Sequence, residues 1–223
     1  MNVSSPVVIT IDGPSGSGKG TLSQMLARHL NYHLLDSGAL YRLVALDALN
    51  KGVDLDSEKA ISEIASALNV TFNLDNEHSA QILLDGKRVN EEIRWEAVGM
   101  AASKIAAYPG VRSALLERQR AFAIPPGLIA DGRDMGTTVF PKADKKLFLT
   151  ASAEARAERR YKQLCAKGEL INMDELIKDI RERDERDSNR AISPLRPAED
   201  AIIIDSTSMT IEDVFTRMLV AIS

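Results

Sequence analysis

Five short apolar runs set the framework of the chain. Val7-Val8-Ile9-Thr10-Ile11, Tyr32 to Leu35, Gly127-Leu128-Ile129-Ala130-Asp131, Lys146-Leu147-Phe148-Leu149 and Ala201-Ile202-Ile203-Ile204-Asp205 lack the strict polar alternation of a strand with one wet face. They read as strands covered on both faces, as in a parallel sheet. Between the first two, Leu22, Met25, Leu26 and Leu30 recur at helical spacing, and after the second Ala39 to Leu49 reads as another helix. Strand and helix thus alternate. The pattern predicts an α/β domain on a five-stranded parallel sheet, with ligands gathered at the carboxyl ends of its strands.

The stretch between the second and third runs is too long for one crossover. Val70 to Leu74 and Gln81 to Leu84 precede an Asp85-Gly86 turn and Lys87-Arg88-Val89, which predicts a small antiparallel sheet inserted into the core. Helical patterns over 95–107 and 111–123 follow, split by Pro109-Gly110, and Trp95 reads as a packing residue at a helix start. No repeat of fixed period is visible.

Composition narrows the class. The 223 residues are 44% hydrophobic and 27% charged, which suits an ordinary globular fold and excludes wholesale disorder. A net charge of −4, from 28 basic and 32 acidic residues, argues against a sequence-independent binder of long nucleic acid. The lone Cys165 permits no internal disulfide and reads as a small filler in a helix, while His29, His33 and His78 show no metal spacing. The start Met-Asn-Val-Ser-Ser-Pro has no basic leader, and Val7 to Ile11 is too short for a signal core or a membrane span, so a cytoplasmic protein is expected.

The strongest chemical signal is Gly13-Pro14-Ser15-Gly16-Ser17-Gly18-Lys19-Gly20-Thr21, between the first strand and an amphipathic helix. Glycines let such a loop bring several backbone N–H groups around a phosphate, and the helix N-terminus adds favourable partial charge. Lys19 supplies a compact cation for the β- and γ-phosphates of ATP. The general nucleotide-binding loop has Ser or Thr directly after the lysine; here Gly20 stands there and Thr21 follows.

Acceptor-side candidates lie at the other strand ends. Asp36-Ser37-Gly38 follows the second run, where Ser37 can cap the next helix or, with Arg42, meet a monophosphate; Tyr41 is either core or a wall of the site. Asp131 ends the third run, as a magnesium-steering acid working through water or as a loop-capping acid. Arg133 then offers a cation for phosphate and Asp134 an acceptor for an amino group. Arg156, Arg159 and Arg160 form one row at helical spacing and Arg183, Arg186 and Arg190 another; each can close over a triphosphate or be a solvated face paired with Glu154, Glu158, Asp184 and Asp187. Gly168 between them reads as a hinge. On spacing alone, Ser103 and Arg112 are an ordinary helix residue and a solvated charge.

Gly-Lys-Gly-Thr is the form this loop takes in nucleoside monophosphate kinases. With Leu34-Leu35-Asp36-Ser37-Gly38-Ala39-Leu40-Tyr41-Arg42, Asp131-Gly132-Arg133-Asp134-Met135-Gly136-Thr137 and Arg183-Asp184-Glu185-Arg186-Asp187-Ser188-Asn189-Arg190, the chain resembles the bacterial cytidylate kinases in order over nearly its whole length. The resemblance implies a P-loop kinase with a three-layer core, a small antiparallel-sheet insertion that binds the monophosphate, and a helical lid. It implies Ser103, Arg112 and Asp134 around the cytosine edge, Arg183 and Asp187 near the ribose, and Arg42, Arg133 and Arg190 around the acceptor phosphate. Lys19, Arg133, Arg183 and Arg190 are then the catalytic cations, with Arg156, Arg159 and Arg160 on the ATP side.

Pattern and resemblance together divide the chain into core (1–38, 109–152 and 191–223), a monophosphate-binding region (39–108) and a lid with flanking helices (153–190). The expected reaction is transfer of the γ-phosphoryl of MgATP to CMP or dCMP, by a monomer that needs neither nucleic acid nor membrane. Kinases of other monophosphates or small metabolites would share the loop and core. A nucleotide-hydrolysing switch would need a guanine-reading feature, and Asn50-Lys51-Gly52-Val53 lacks the acidic fourth residue.

Overall fold

The computed structural model describes residues 5–74, 80–166, 168 and 171–223; His78 and the first four residues lie outside that set. In chain order, β1 (Val7–Asp12) leads through the glycine-rich loop to α1 (Lys19–Leu30), and β2 (His33–Asp36) to α2 (Ser37–Asn50) and α3 (Glu58–Ser66). Next come β3 (Val70–Leu74), β4 (Ala80–Leu84), β5 (Lys87–Arg88), α4 (Glu96–Ile105) and α5 (Pro109–Arg120). Then follow β6 (Gly127–Gly132), a single π-type turn (Met135–Val139), β7 (Lys145–Thr150), α6 (Ala153–Cys165), α7 (Met173–Ser188), β8 (Ile202–Asp205) and α8 (Ile211–Ile222). Two compact units result: Ser37–Gln119, and the rest of the chain on either side of it.

The flanking unit holds the five-stranded sheet, in the order β2-β6-β1-β7-β8. All its pairings are parallel, with Asp12 opposite Gly132, Asp36 opposite Asp131 and Thr150 opposite Asp205. Their carboxyl ends therefore share one edge, as expected. Ile9, Ile11, Ile129, Leu147, Leu149 and Ile204 bury one face of the sheet against Leu22 and Leu26 of α1 and Val214 and Met218 of α8. Each such side chain contributes on the order of 1.5–3 kcal/mol by leaving water. The fifth run departs from expectation. Because β8 is an edge strand, Ile202 and Ile203 are exposed.

In the Ser37–Gln119 unit, β3, β4 and β5 form the antiparallel sheet, in register from Val70 opposite Leu84 to Leu74 opposite Ala80. Its centre is α2, where Leu40, Leu43, Val44, Ala45, Leu46 and Ala48 are all buried. A helix apolar nearly all round belongs inside a core. Pro109 opens α5 rather than separating two helices, since the first position of a helix has no intrahelical use for the missing N–H. Trp95 corrects the sequence reading. It stands just before α4 and is 57% exposed. Cys165 is likewise exposed, on the last residue of α6. No helix among the described residues is long and apolar enough to cross a membrane.

Candidate active site

The phosphate loop is shaped by backbone conformations that only glycine adopts without strain. Gly13, Gly16 and Gly18 have φ of 147°, 78° and 94°, and a Cβ on Gly13 would lie 1.9 Å from the carbonyl oxygen of Leu149. The loop closes on itself. Ser17 Oγ and Lys19 Nζ both donate to the carbonyl of Pro14, at 3.0 and 2.8 Å. Gly20 and Thr21 are exposed at the start of α1, so that helix N-terminus is open to an anion.

Lys19 lies in a dense field of charge. Burial pushes its ammonium down and Arg133 adds to that, while Asp131 and Asp12 pull it back up. Burial raises the Asp131 carboxyl, against the opposing pull of Lys19. Asp131 sits at the end of β6, where a Cβ on Gly20 would be 3.9 Å from its Oδ2. A hard carboxylate beside an open helix start, with Asp36 and Asp12 near enough to raise it further, fits magnesium, which keeps several waters and takes its remaining ligands from phosphates. Among the described residues no cluster of three or more His, Cys, Asp or Glu forms a cage for a metal.

The two arginine rows are held differently. Arg156 is 3% exposed; it donates through Nε to Ala151 O at 3.0 Å and through Nη1 to Ser15 O at 3.0 Å, and pairs with the Asp184 carboxylate. Arg159 donates to Ser206 O at 2.5 Å and reaches Ser17 O at 3.4 Å. Both brace the phosphate loop through its carbonyls, and Arg160 is partly exposed beside them. On α7, the buried Asp187 accepts from Arg133 Nε at 3.0 Å and pairs with Arg190. Burial alone would raise the Asp187 carboxyl, but Arg133, Arg190 and Arg183 outweigh it and hold it below the usual carboxylate range.

The other candidates belong to the Ser37–Gln119 unit. Ser37 opens α2, and its Oγ accepts from Gln119 Nε2 at 2.8 Å. Arg42 donates to Ile93 O at 2.7 Å; Gly99 makes room for it, since a Cβ there would be 2.7 Å from Arg42 Nη2. Tyr41 is buried, and the Arg112 guanidinium sits 5.7 Å from its ring centroid, within cation–π range. Arg112 also donates to Ala106 O at 3.0 Å, so it is no solvated charge, and Ser103 is buried on α4.

A phosphate loop in a parallel sheet restricts the chain to a broad class; sequence comparison decides the family. Residues 9–223 match the family model described as Cytidylate kinase. The chain belongs to the cytidylate kinase family. A curated cytidylate kinase of Aeromonas salmonicida is 60% identical over 212 residues, 95% of this chain and 92% of that protein. Another, of Pseudomonas aeruginosa, is 58% identical over 220 residues, 98% and 96% of the two chains. At the level of fold, the solved structure of an uncharacterized protein from Eubacterium ventriosum covers 97% of this chain and 98% of its own at TM-score 0.50 and 11% identity.

Two residues that carry no mark in the sequence matter in the structure. Asp12 ends β1, and both its carboxylate oxygens accept backbone N–H bonds, from Met135 and Gly136 at 2.8 Å each. Burial pushes its carboxyl up to about 6 in spite of those bonds. Gln119 reads as one more polar residue on α5, yet it is buried and holds Ser37. Neither had a local signal beyond a polar residue at a strand end or on a helix, because their partners lie over eighty positions away.

Proposed function

We propose that the chain transfers the γ-phosphoryl group of ATP to the 5′-phosphate of CMP or dCMP, giving ADP and CDP or dCDP. Family membership supports the reaction, and one observation carries the chemistry: Asp12 before the phosphate loop lies opposite Gly132 in the parallel sheet, so Arg133, directly after it, stands at the same strand ends as the loop that carries Lys19. A phosphate oxygen of the acceptor forms the new bond to the γ-phosphorus as the bond to the β-bridging oxygen breaks. The attacking group is already an anion, so no strong base is needed.

In this reading the backbone of residues 13–21 cradles the ATP phosphates and Lys19 meets the charge that spreads over the transferred group. Arg156 and Arg159 serve the ATP side by bracing the loop, with Arg160 next to them. Arg133, Arg183 and Arg190 supply cations to the phosphates, with Arg42 and Ser37 on the acceptor phosphate. Asp187 serves the ribose, with Tyr41 as a wall. Ser103, Arg112 and Asp134 read the base, and Asp134 accepts from the exocyclic amine that cytosine has and uracil lacks. Asp131 would hold magnesium through water; the ion, when bound, neutralises phosphate charge. We read 39–108 as the monophosphate-binding region, 153–190 as a lid that excludes water, and the whole as a cytoplasmic monomer.

A coupled assay of ADP release with CMP, dCMP, UMP, AMP and GMP tests the function. The expected order places CMP and dCMP first. Preference for a purine monophosphate, or hydrolysis without any acceptor, would refute it.

A further inference from the structure

We propose that Asp12 is a positioning residue for base recognition, tying the first residue of the phosphate loop to the turn that carries Asp134. The inference rests on the reading of Asp134 as the group that reads cytosine.

β1 and β6 run side by side in parallel, with Asp12 opposite Gly132. Past that point β6 ends and the chain turns. The carboxylate of Asp12 reaches across from the neighbouring strand and accepts from two consecutive N–H groups, Met135 through Oδ1 and Gly136 through Oδ2, at 2.8 Å each. These are the opening amides of the π-type turn Met135–Val139, and Asp134 stands directly before it. Asp134's own carbonyl accepts from Thr138 and Val139 at 2.8 and 3.2 Å. The peptide planes on both sides of Met135 are thus fixed from β1, and with them the direction in which the Asp134 side chain leaves the backbone.

Two glycines let the turn approach that closely. A Cβ on Gly136 would be 2.9 Å from Thr10 Oγ1 of β1, and one on Gly132 would be 2.7 Å from Met135 Cγ. On its other side Asp12 is bonded to Gly13, whose conformation leaves no room for a side chain. One carboxylate, 4% exposed, therefore sets the spacing between the donor loop and the acceptor-reading turn. An Asn at position 12 offers one oxygen and turns an N–H₂ toward the second amide, so one of the two bonds is lost and the turn is released on one side.

The test compares wild type, Asp12→Asn and Asp134→Ala for kcat and KM with CMP, UMP and ATP, alongside melting temperature. Asp12→Asn should raise KM for CMP and lower the preference for CMP over UMP about ten-fold, as expected for a small misplacement of a recognising group. KM for ATP should move less than KM for CMP, because the carboxylate lost from position 12 also bears on Lys19 but the loop keeps its own bonds to the carbonyl of Pro14. A merely structural loss would lower the active fraction, and so kcat for every substrate, without moving the CMP-to-UMP ratio. If Asp134→Ala abolishes the preference and a folded Asp12→Asn keeps it, the proposal is overturned. If Asp134→Ala itself leaves the preference intact, the reading of Asp134 fails instead, and the proposal with it. Should Asp12→Asn not fold, Gly136→Ala decides: it pushes the same turn off β1 with Asp12 intact, and unchanged CMP-to-UMP preference in that variant overturns the proposal.

Discussion

On α6, Arg156 and Arg159 give their donors to backbone carbonyls and to the single carboxylate of Asp184; on α7, one carboxylate, Asp187, faces three guanidiniums, from Arg133, Arg183 and Arg190. In the first, Arg156 pairs one to one with Asp184 while Arg159 gives its donors to Ser206 and Ser17. The second gathers three guanidiniums around one buried carboxylate. Two rows that look equivalent along the chain are therefore held differently, and in the proposed function the difference separates a brace for the phosphate loop from a receptor for the transferred group.

The largest break in this contrast is expected from Arg190→Ala. Removing one preorganised cation aimed at a transferring phosphoryl group costs about 10²–10³ in rate, so kcat/KM for CMP should fall by that factor, with some loss of stability that is limited because Asp187 keeps Arg133 and Arg183. Steady-state kinetics beside a thermal melt checks it. Near wild-type turnover would mean that Arg190, just beyond α7, has no part in the reaction.

Arg156→Ala should show the opposite split. It removes a guanidinium that is 4% exposed and leaves the carbonyls of Ser15 and Ala151 and the carboxylate of Asp184 short of a donor. Breaking a buried pair from one side costs about 3–5 kcal/mol, and the lower end applies because Asp184 keeps 26% of its side chain in water. Denaturant unfolding should register that loss, with kcat of the folded enzyme reduced far less than in Arg190→Ala. Equal loss of rate in both variants, with unchanged stability in Arg156→Ala, would erase the distinction between the rows.

The sequence made these helices and their arginines legible, but not the contrast itself. Spacing tells that Arg156 and Arg160 share a helix face, but it wrongly extends the second row to Arg190, which lies past the end of α7 at Ser188, and it does not tell what stands across from either row. The partner of Arg156 is 28 positions away and that of Arg133 is 54 away. The core strands were readable because a strand buried on both faces must be continuously apolar, and β8 was misjudged because an edge strand can keep that pattern while leaving Ile202 and Ile203 exposed. The phosphate loop was readable for a local reason too, since its glycines serve its own backbone angles. Gly99 and Gly136 escaped notice because they make room for Arg42 and for β1, neighbours that only the fold supplies. Asp12 and Gln119 belong with them.

The smallest expected effect concerns the acid limb of stability, and it probes the coupling of Asp187 to its three guanidiniums directly. The folded carboxyl of Asp187 lies below its unfolded value, because Arg133, Arg190 and Arg183 overcome the opposing effect of burial. A group depressed in that way adds stability above its unfolded pKa and loses it as pH falls through the folded one, since below that point both states are protonated. Asp187→Asn should therefore be less stable than wild type at neutral pH, and the gap should close below the usual carboxylate range. Asp12 does not confuse the measurement at the acid end. Its carboxyl is raised to about 6 in the folded state, so its own contribution changes between the ordinary carboxylate range and pH 6 and is constant in more acid solution. Urea unfolding of both proteins from pH 7 down to pH 2 gives the comparison. A gap that stays constant with pH would mean that Asp187 is held by shape and hydrogen bonds alone, and that the three guanidiniums are not balanced through its charge.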